Sequence, residues 1–289
     1  MGFNFWLFQI LNAISLGALL FLVASGLSMI FGLMRIVNIA HGTFYMLGAY
    51  TTFELLRYVG NQIVAAALAI FVIAILGAVL QRGLISRVKG DTLRQILMTF
   101  GLLLIFGDFA LLIWRGTPVI LPTPGPLSGA VQIGALNFPH YRLFVVAVGL
   151  VLAIALDFVQ RRTRMGSMIR AGADDLEMLE CMGVDVRRLF MLVFALGAAL
   201  AGLGGVLGGM FLGVYSGIDL EIGILAFVVV IVGGLGSIRG TLAASMLVAL
   251  IDNMAKALLP EVSLFAIFLL MVVVIALKPS GLFGRKELA

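Results

Sequence analysis

Apolar residues run along this chain in blocks about as long as a bilayer-crossing helix, roughly 20 residues, with short polar segments between them. The blocks predict helices over residues 5–34, 44–56, 62–80, 96–114, 141–159, 189–212, 224–238, 241–259 and 262–277. Gly17, Gly26 and Gly32 predict a bend or an unwound turn in the second half of the first block. Arg35-Ile-Val-Asn38-Ile-Ala-His41-Gly42-Thr43 then interrupts the pattern. If this interruption is a re-entrant piece, nine crossings become eight. Residues 115–140 hold Pro118, Pro122, Pro124, Pro126 and Pro139 and predict an irregular loop outside the membrane. Residues 189–212 carry Gly197, Gly202, Gly204, Gly205, Gly208 and Gly209, a surface made for close helix packing. Residues 214–223 form a polar break with Asp219 and Glu221, either a solvated loop or a contact for an outside partner.

The longest polar stretch is 161–188, framed by Arg161, Arg162, Arg164, Arg170, Arg187 and Arg188. It predicts a short helix with Asp174 as N-cap, Glu177 completing a capping box and Gly183 as the stop. Leu176, Leu179 and Met182 fall at i, i+3 and i+6, and Asp175, Glu177 and Glu180 decorate the rest. Such a helix is too short to span a bilayer and too amphipathic to hide in one. It reads as a rigid cytoplasmic knob that docks into another protein.

Composition sharpens this picture. The chain is 62% hydrophobic and 11% charged, and its mean hydropathy is +1.19. A soluble domain could not cover so much apolar surface, so 1–289 is expected to be a single all-α, polytopic transmembrane bundle. The net charge of +5 fits basic loops on one side of a membrane better than nucleic-acid binding. Loop 81–95 holds Arg82, Arg87, Lys89 and Arg94, and the tail holds Lys278, Arg285 and Lys286. Placing these and 161–188 in the cytoplasm puts the N-terminus outside and the C-terminus inside. The one cysteine, Cys181, excludes an internal disulfide and a thiolate metal cluster. The first basic residue is Arg35, so no cleaved signal is expected.

Catalytic signatures are missing. No lysine follows a glycine as in a P-loop, no G-x-S-x-G occurs, and His41 and His140 have no H-x-x-x-H spacing. No catalytic residue, metal or cofactor is expected. Asn38, His41, Gly42 and Thr43 are the candidates for lining a solute path, because polar groups between apolar helices are costly unless they face a cavity. Broken-helix ends also carry partial charges that suit a zwitterion. The alternative is that Asn38 and His41 satisfy each other's backbone at a turn. Asn38-x-x-x-Gly42 and Asp219-x-x-x-Gly223 each open a small-residue helix after a Gly-rich one. Inverted repeats would bring the two together near the midplane, adding Asp219 and Gly223 to the path, although chance also produces such echoes. Asp252 and Lys256 are spaced for an i, i+4 ion pair. Asp108 is expected to face protein or water, and Arg239 to anchor the inner face.

The stretch Gly26-Leu-Ser-Met-Ile-Phe-Gly-Leu-Met-Arg-Ile-Val-Asn-Ile-Ala-His-Gly-Thr-Phe-Tyr-Met-Leu-Gly-Ala-Tyr50 closely resembles the N-terminal signature of branched-chain amino acid ABC importer permeases of the LivH type. The resemblance continues through Gly183 and Gly233-Gly-Leu-Gly-Ser-Ile-Arg-Gly-Thr241, a run shared with sugar permeases of the larger family. It implies the ABC importer permease fold, no enzymatic activity in this chain, and a site in an inner membrane. It also implies a second related permease, two cytoplasmic ATPases, and a periplasmic solute-binding protein. The family's coupling loop matches 171–183, implying ATPase contact by Arg170, Asp174, Asp175, Leu176, Glu177, Leu179, Glu180 and Gly183. Where the family often has Glu-Ala-Ala, this chain has Ala171-Gly172-Ala173. Branched-chain amino acids are the leading solute, and urea or short amides the alternative. An ion-coupled secondary carrier using Asp108 and Asp252 is the competing class.

Overall fold

The computed structural model describes residues 2–88, 90–133 and 136–284. The helices in order are α1 (Phe3–Met34), α2 (His41–Val59), α3 (Gln62–Gly83), α4 (Thr92–Trp114), α5 (His140–Arg162) and α6 (Arg164–Asp174). They continue with α7 (Leu176–Cys181), α8 (Val186–Phe211), α9 (Ile218–Gly233), α10 (Ile238–Leu258) and α11 (Ser263–Leu277). Among the described residues, seven stretches are long and apolar enough to cross a membrane. The two other long helices described do not qualify: α9 has only 16 residues, and α2, with His41 and its tyrosines and threonines as well as Glu54 and Arg57, is not apolar enough. The fold is the expected polytopic helical bundle. Lys89, Arg285 and Lys286 lie outside the described residues.

Polar side chains start the helices where the chain turns. Asn61 accepts from Ile63 N and Val64 N, Asp91 from Arg94 N, Asp185 from Arg188 N and Ser237 from Gly240 N. Each such cap contributes about 1 kcal/mol. Between the caps, α1 forms the axis of the bundle, packed by α5, α8, α9 and α10. Lipid is as apolar as leucine, so tight backbone contact rather than burial holds such helices together. Gly26 accordingly lies on the backbone of Gly197 of α8, and Gly32 on Gly236. These glycines do not unwind α1, since its helix continues to Met34. Their missing side chains admit neighbours instead.

The bundle has two ends. At the arginine-rich end lie the C-termini of α1, α3, α5, α9 and α11, the α6–α7 pair and the 234–237 turn. At the other end lies the 115–139 connection, which is not wholly irregular. Strands β1 (Ala130–Ile133) and β2 (Leu136–Pro139) form an antiparallel hairpin there. Val119 and Val214 exchange backbone hydrogen bonds of 2.8 Å, and Leu121 N–H donates to Gly209 O. The prolines remove donors, but Val119, Leu121, Leu127 and Ser128 N–H still find backbone partners. The expected break at 214–223 is also shorter than its polarity suggested. Helix α9 begins at Ile218 and takes in Asp219 and Glu221, since helix N-termini favour carboxylates.

Arg239 is held by an acidic partner: its Nε and Nη2 donate to Asp157 at 2.9 and 3.2 Å, and Arg161 Nε donates to the same carboxylate at 3.0 Å. Lys256 Nζ donates to buried Asp252 at 2.8 Å, the expected pair. Asp108, expected to face protein or water, is exposed on α4. Helix α4 is held loosely enough to leave most of its surface uncovered.

Candidate functional site

The interruption after α1 is real; it begins at exposed Arg35 and reaches into the bundle. Arg35 ends α1 in the left-handed conformation, φ 50°, and its N–H donates to Phe31 O at 2.9 Å. Residues 36–40 then run without helix and return along α1 toward its middle. There the ring of His41, fully buried, donates from Nε2 to Val23 O at 3.0 Å. His41 N–H donates to Asn38 O at 3.2 Å, so these residues do form a backbone turn. That turn leaves the side chains unexplained. Asn38 is 1% exposed, and neither its Oδ1 nor its Nδ2 has a protein partner. His41 Nδ1, Ser28 Oγ and the hydroxyls of Tyr45 and Tyr50 are likewise buried and unpartnered. Each such group left without any partner costs about 1–3 kcal/mol, so each calls for an explanation. Thr43 is buried beside them.

The second echo joins the first. A Cβ added at Gly42 would overlap the Asp219 carbonyl oxygen and lie 2.9 Å from Gly223 N. The first turns of α2 and α9 are therefore in backbone contact, and from there the helices run to opposite ends. Helix α9 reaches the arginine-rich end, where Gly233 meets Gly240. Helix α2 reaches the hairpin end, where the Gln62 side chain meets Pro122 O. Asn38, His41, Gly42, Thr43, Asp219 and Gly223 thus share one locality. Beside it a cavity of about 220 Å³ is lined by Val37, Ile39, Leu220, Gly223, Ile224 and Phe227. On the hairpin side, Trp114 stacks on Tyr50 at 4.3 Å and donates from Nε1 to Glu54 at 2.9 Å. The Tyr215 hydroxyl donates to Glu221 at 2.5 Å, which, with some burial, pushes its pKa up to about 12.

The polar stretch folds as two short helices rather than one. Thr163 caps α6 by accepting from Gly166 N at 3.2 Å. Asp175, not Asp174, caps α7, accepting from Met178 N at 3.0 Å. Asp174 is the last residue of α6, and Glu177 does not complete a capping box on it. Gly183 does stop the segment, with φ +83° and its N–H on Glu180 O at 2.9 Å. Leu179 is 4% exposed and Leu176 packs on the core, but Met182 is 74% exposed and faces away from them. Met178, Glu177 and Glu180 are exposed too. The inner contact is specific: a Cβ at Gly172 would meet Leu33 of α1 at 2.8 Å and Leu179 at 3.1 Å. The knob therefore rests on the end of α1, two residues before the interruption begins. Arg170 is half-buried in α6, its Nη1 without a protein partner.

Sequence reasoning missed α6 and the unpartnered hydroxyls of Ser28, Tyr45 and Tyr50. Signals for both existed. Thr163 is a cap residue, Met165, Met168 and Ile169 have helical spacing, and the hydroxyls stand inside apolar runs.

Broken helices around a buried polar locality, tied to a short amphipathic pair at the bundle's end, define a multi-pass membrane permease. From residue 9 to 277 the chain matches the family described as branched-chain amino acid transport system / permease component, and it belongs to that family. It is therefore the transport component of an ABC-type system and not an enzyme, and such systems include ATPase and solute-binding partners. It is 28% identical to the high-affinity branched-chain amino acid permease protein LivH of Escherichia coli K12, over 99% of this chain and 97% of the relative. Identity is also 28% to BraD of Pseudomonas aeruginosa, a permease protein of the same description, over 98% and 97%. The xylose permease protein XylH of Haemophilus influenzae is 28% identical over 44% of this chain and 36% of the relative. No solved structure matches the chain.

Proposed function

We propose that this chain is one of two related permeases that together carry a branched-chain amino acid across a bacterial inner membrane. Two ATPases dock on α6 and α7, and a periplasmic protein delivers the solute. The arginine-rich end faces the cytoplasm, which puts the N-terminus outside and the C-terminus inside. The observation that carries this reading is the backbone contact of Gly42 with Asp219 beside unpartnered Asn38. It is a polar point in an apolar bundle, placed where two broken helices start. Asn38, His41 and Thr43 offer hydrogen bonds to the charged groups of an amino acid. The apolar cavity beside them has room for a branched side chain, for which urea and short amides have no use. An ion-coupled mechanism finds less support: Asp252 is paired to Lys256, and Asp108 lies exposed outside the locality.

The test is leucine uptake into proteoliposomes holding the complete complex and its binding protein. ATP-dependent uptake supports the reading. Uptake by this chain alone, driven by an ion gradient, overturns it.

Asn38 gives a sharper expectation. Its side chain has no protein partner to lose, so Asn38→Ala should leave stability within about 1 kcal/mol of wild type. Leucine uptake should fall by roughly tenfold or more, the loss of one or two hydrogen bonds to solute. Thermal unfolding and transport assays on one preparation separate the two effects. Equal losses in both would assign Asn38 a structural role.

A further inference from the structure

A second, larger cavity of about 1070 Å³ opens at the arginine-rich end, between α1, α5, α6, the 234–237 turn and the tail. Arg35, Arg161, Arg170 and Arg239 line it, against Asp157 and Asp174. Asp157 is already engaged by two of these arginines, Arg161 and Arg239. The Arg170 guanidinium reaches the cavity with a buried Nη1 that no protein group accepts. Helix α10 begins at the cavity wall, at Ser237, so its N-terminal N–H groups and dipole add to the positive field. Apolar Phe31, Ile231 and Leu235 are in the lining too, so the cavity combines basic and apolar groups.

We propose that this cavity binds a phosphate group, carried by an anionic phospholipid or free in solution. Guanidinium forks match phosphate oxygens in a planar, two-pronged geometry, and a phosphate would satisfy Arg170 without displacing Asp157 from its partners. Basic pockets between membrane helices hold lipid headgroups in this way. The apolar residues of the lining favour the lipid as the source, since free phosphate has nothing to place against them. The site lies apart from Asn38 and does not depend on which solute is carried.

The test uses the purified complex in nanodiscs of phosphatidylcholine, with or without phosphatidylglycerol. Native mass spectrometry reads the retained lipid, and thermal unfolding reads the stabilisation. Wild type should retain phosphatidylglycerol over phosphatidylcholine by at least about fivefold, and Arg35→Gln or Arg239→Gln should each cut that preference about fivefold. Arg239→Lys should keep most of it. Inorganic phosphate that raises the unfolding midpoint in pure phosphatidylcholine discs, with no lipid preference, assigns the site to a soluble phosphate. A wild-type complex that responds to neither overturns the proposal. So does a preference left unchanged in Arg35→Gln, whose side chain is exposed and whose loss spares the Asp157 cluster.

Discussion

Gly42→Ala is expected to abolish ATP-driven uptake while the chain still inserts in the membrane. The new methyl would overlap the Asp219 carbonyl oxygen, and Gly223 N lies 2.9 Å away. Both obstacles are backbone, so no rotamer change relieves them. The starts of α2 and α9 must part, at the upper end of the roughly 1–3 kcal/mol that overpacking costs, or beyond it. A cost of that size shifts a two-state population by a factor on the order of a hundred. The seven stretches that qualify as spans include neither α2 nor α9, so insertion should survive. Gly101→Ala is the matched control, since nothing lies within 4 Å of a Cβ at that position in α4. It should be neutral, or stabilising by up to about 1 kcal/mol. Uptake and membrane abundance, measured side by side, decide the matter. Wild-type uptake by Gly42→Ala would show that the contact yields freely and serves no function.

The long helices were legible because apolar length is a strong signal, and the interruption at 35–43 because polar residues there break it. The Gly42–Asp219 contact was only half legible. The spacing echo pointed to both segments, but the group that Gly42 meets is a carbonyl, which has no side-chain signature. The cap of α7 was misplaced by one residue because Asp174 and Asp175 are chemically equivalent as caps. What separates them is tertiary: packing of Gly172 under Leu33 and Leu179 keeps α6 helical through Asp174, and Asp175 N–H still donates to Ala171 O at 2.8 Å. Met182 was grouped with Leu176 and Leu179 by the i, i+3, i+6 spacing, but α7 ends at Cys181, and the pattern ends with it. The hairpin at 130–139 was hidden behind the prolines around it.

Leu179→Asp should uncouple the permease from its motor. Leu179 is 4% exposed and touches Gly172, which in turn lies against Leu33. Removing such a leucine costs about 2–5 kcal/mol, and burying a carboxylate in its place adds to that. A helix of six residues cannot stand alone in water, so α7 should come away from α6 and the end of α1. Leucine uptake should fall to background with membrane insertion unchanged, because the substitution lies outside every spanning helix. ATP hydrolysis, where the ATPases still bind, should continue without responding to the solute-loaded binding protein. Met182→Asp separates docking from transmission. Met182 is 74% exposed and supports nothing inside the permease, so its replacement should weaken ATPase co-purification and leave permease stability alone. If Leu179→Asp instead behaves like Met182→Asp, α7 is only a docking patch. Force would then reach the 35–40 segment by some route other than Leu179, Gly172 and Leu33.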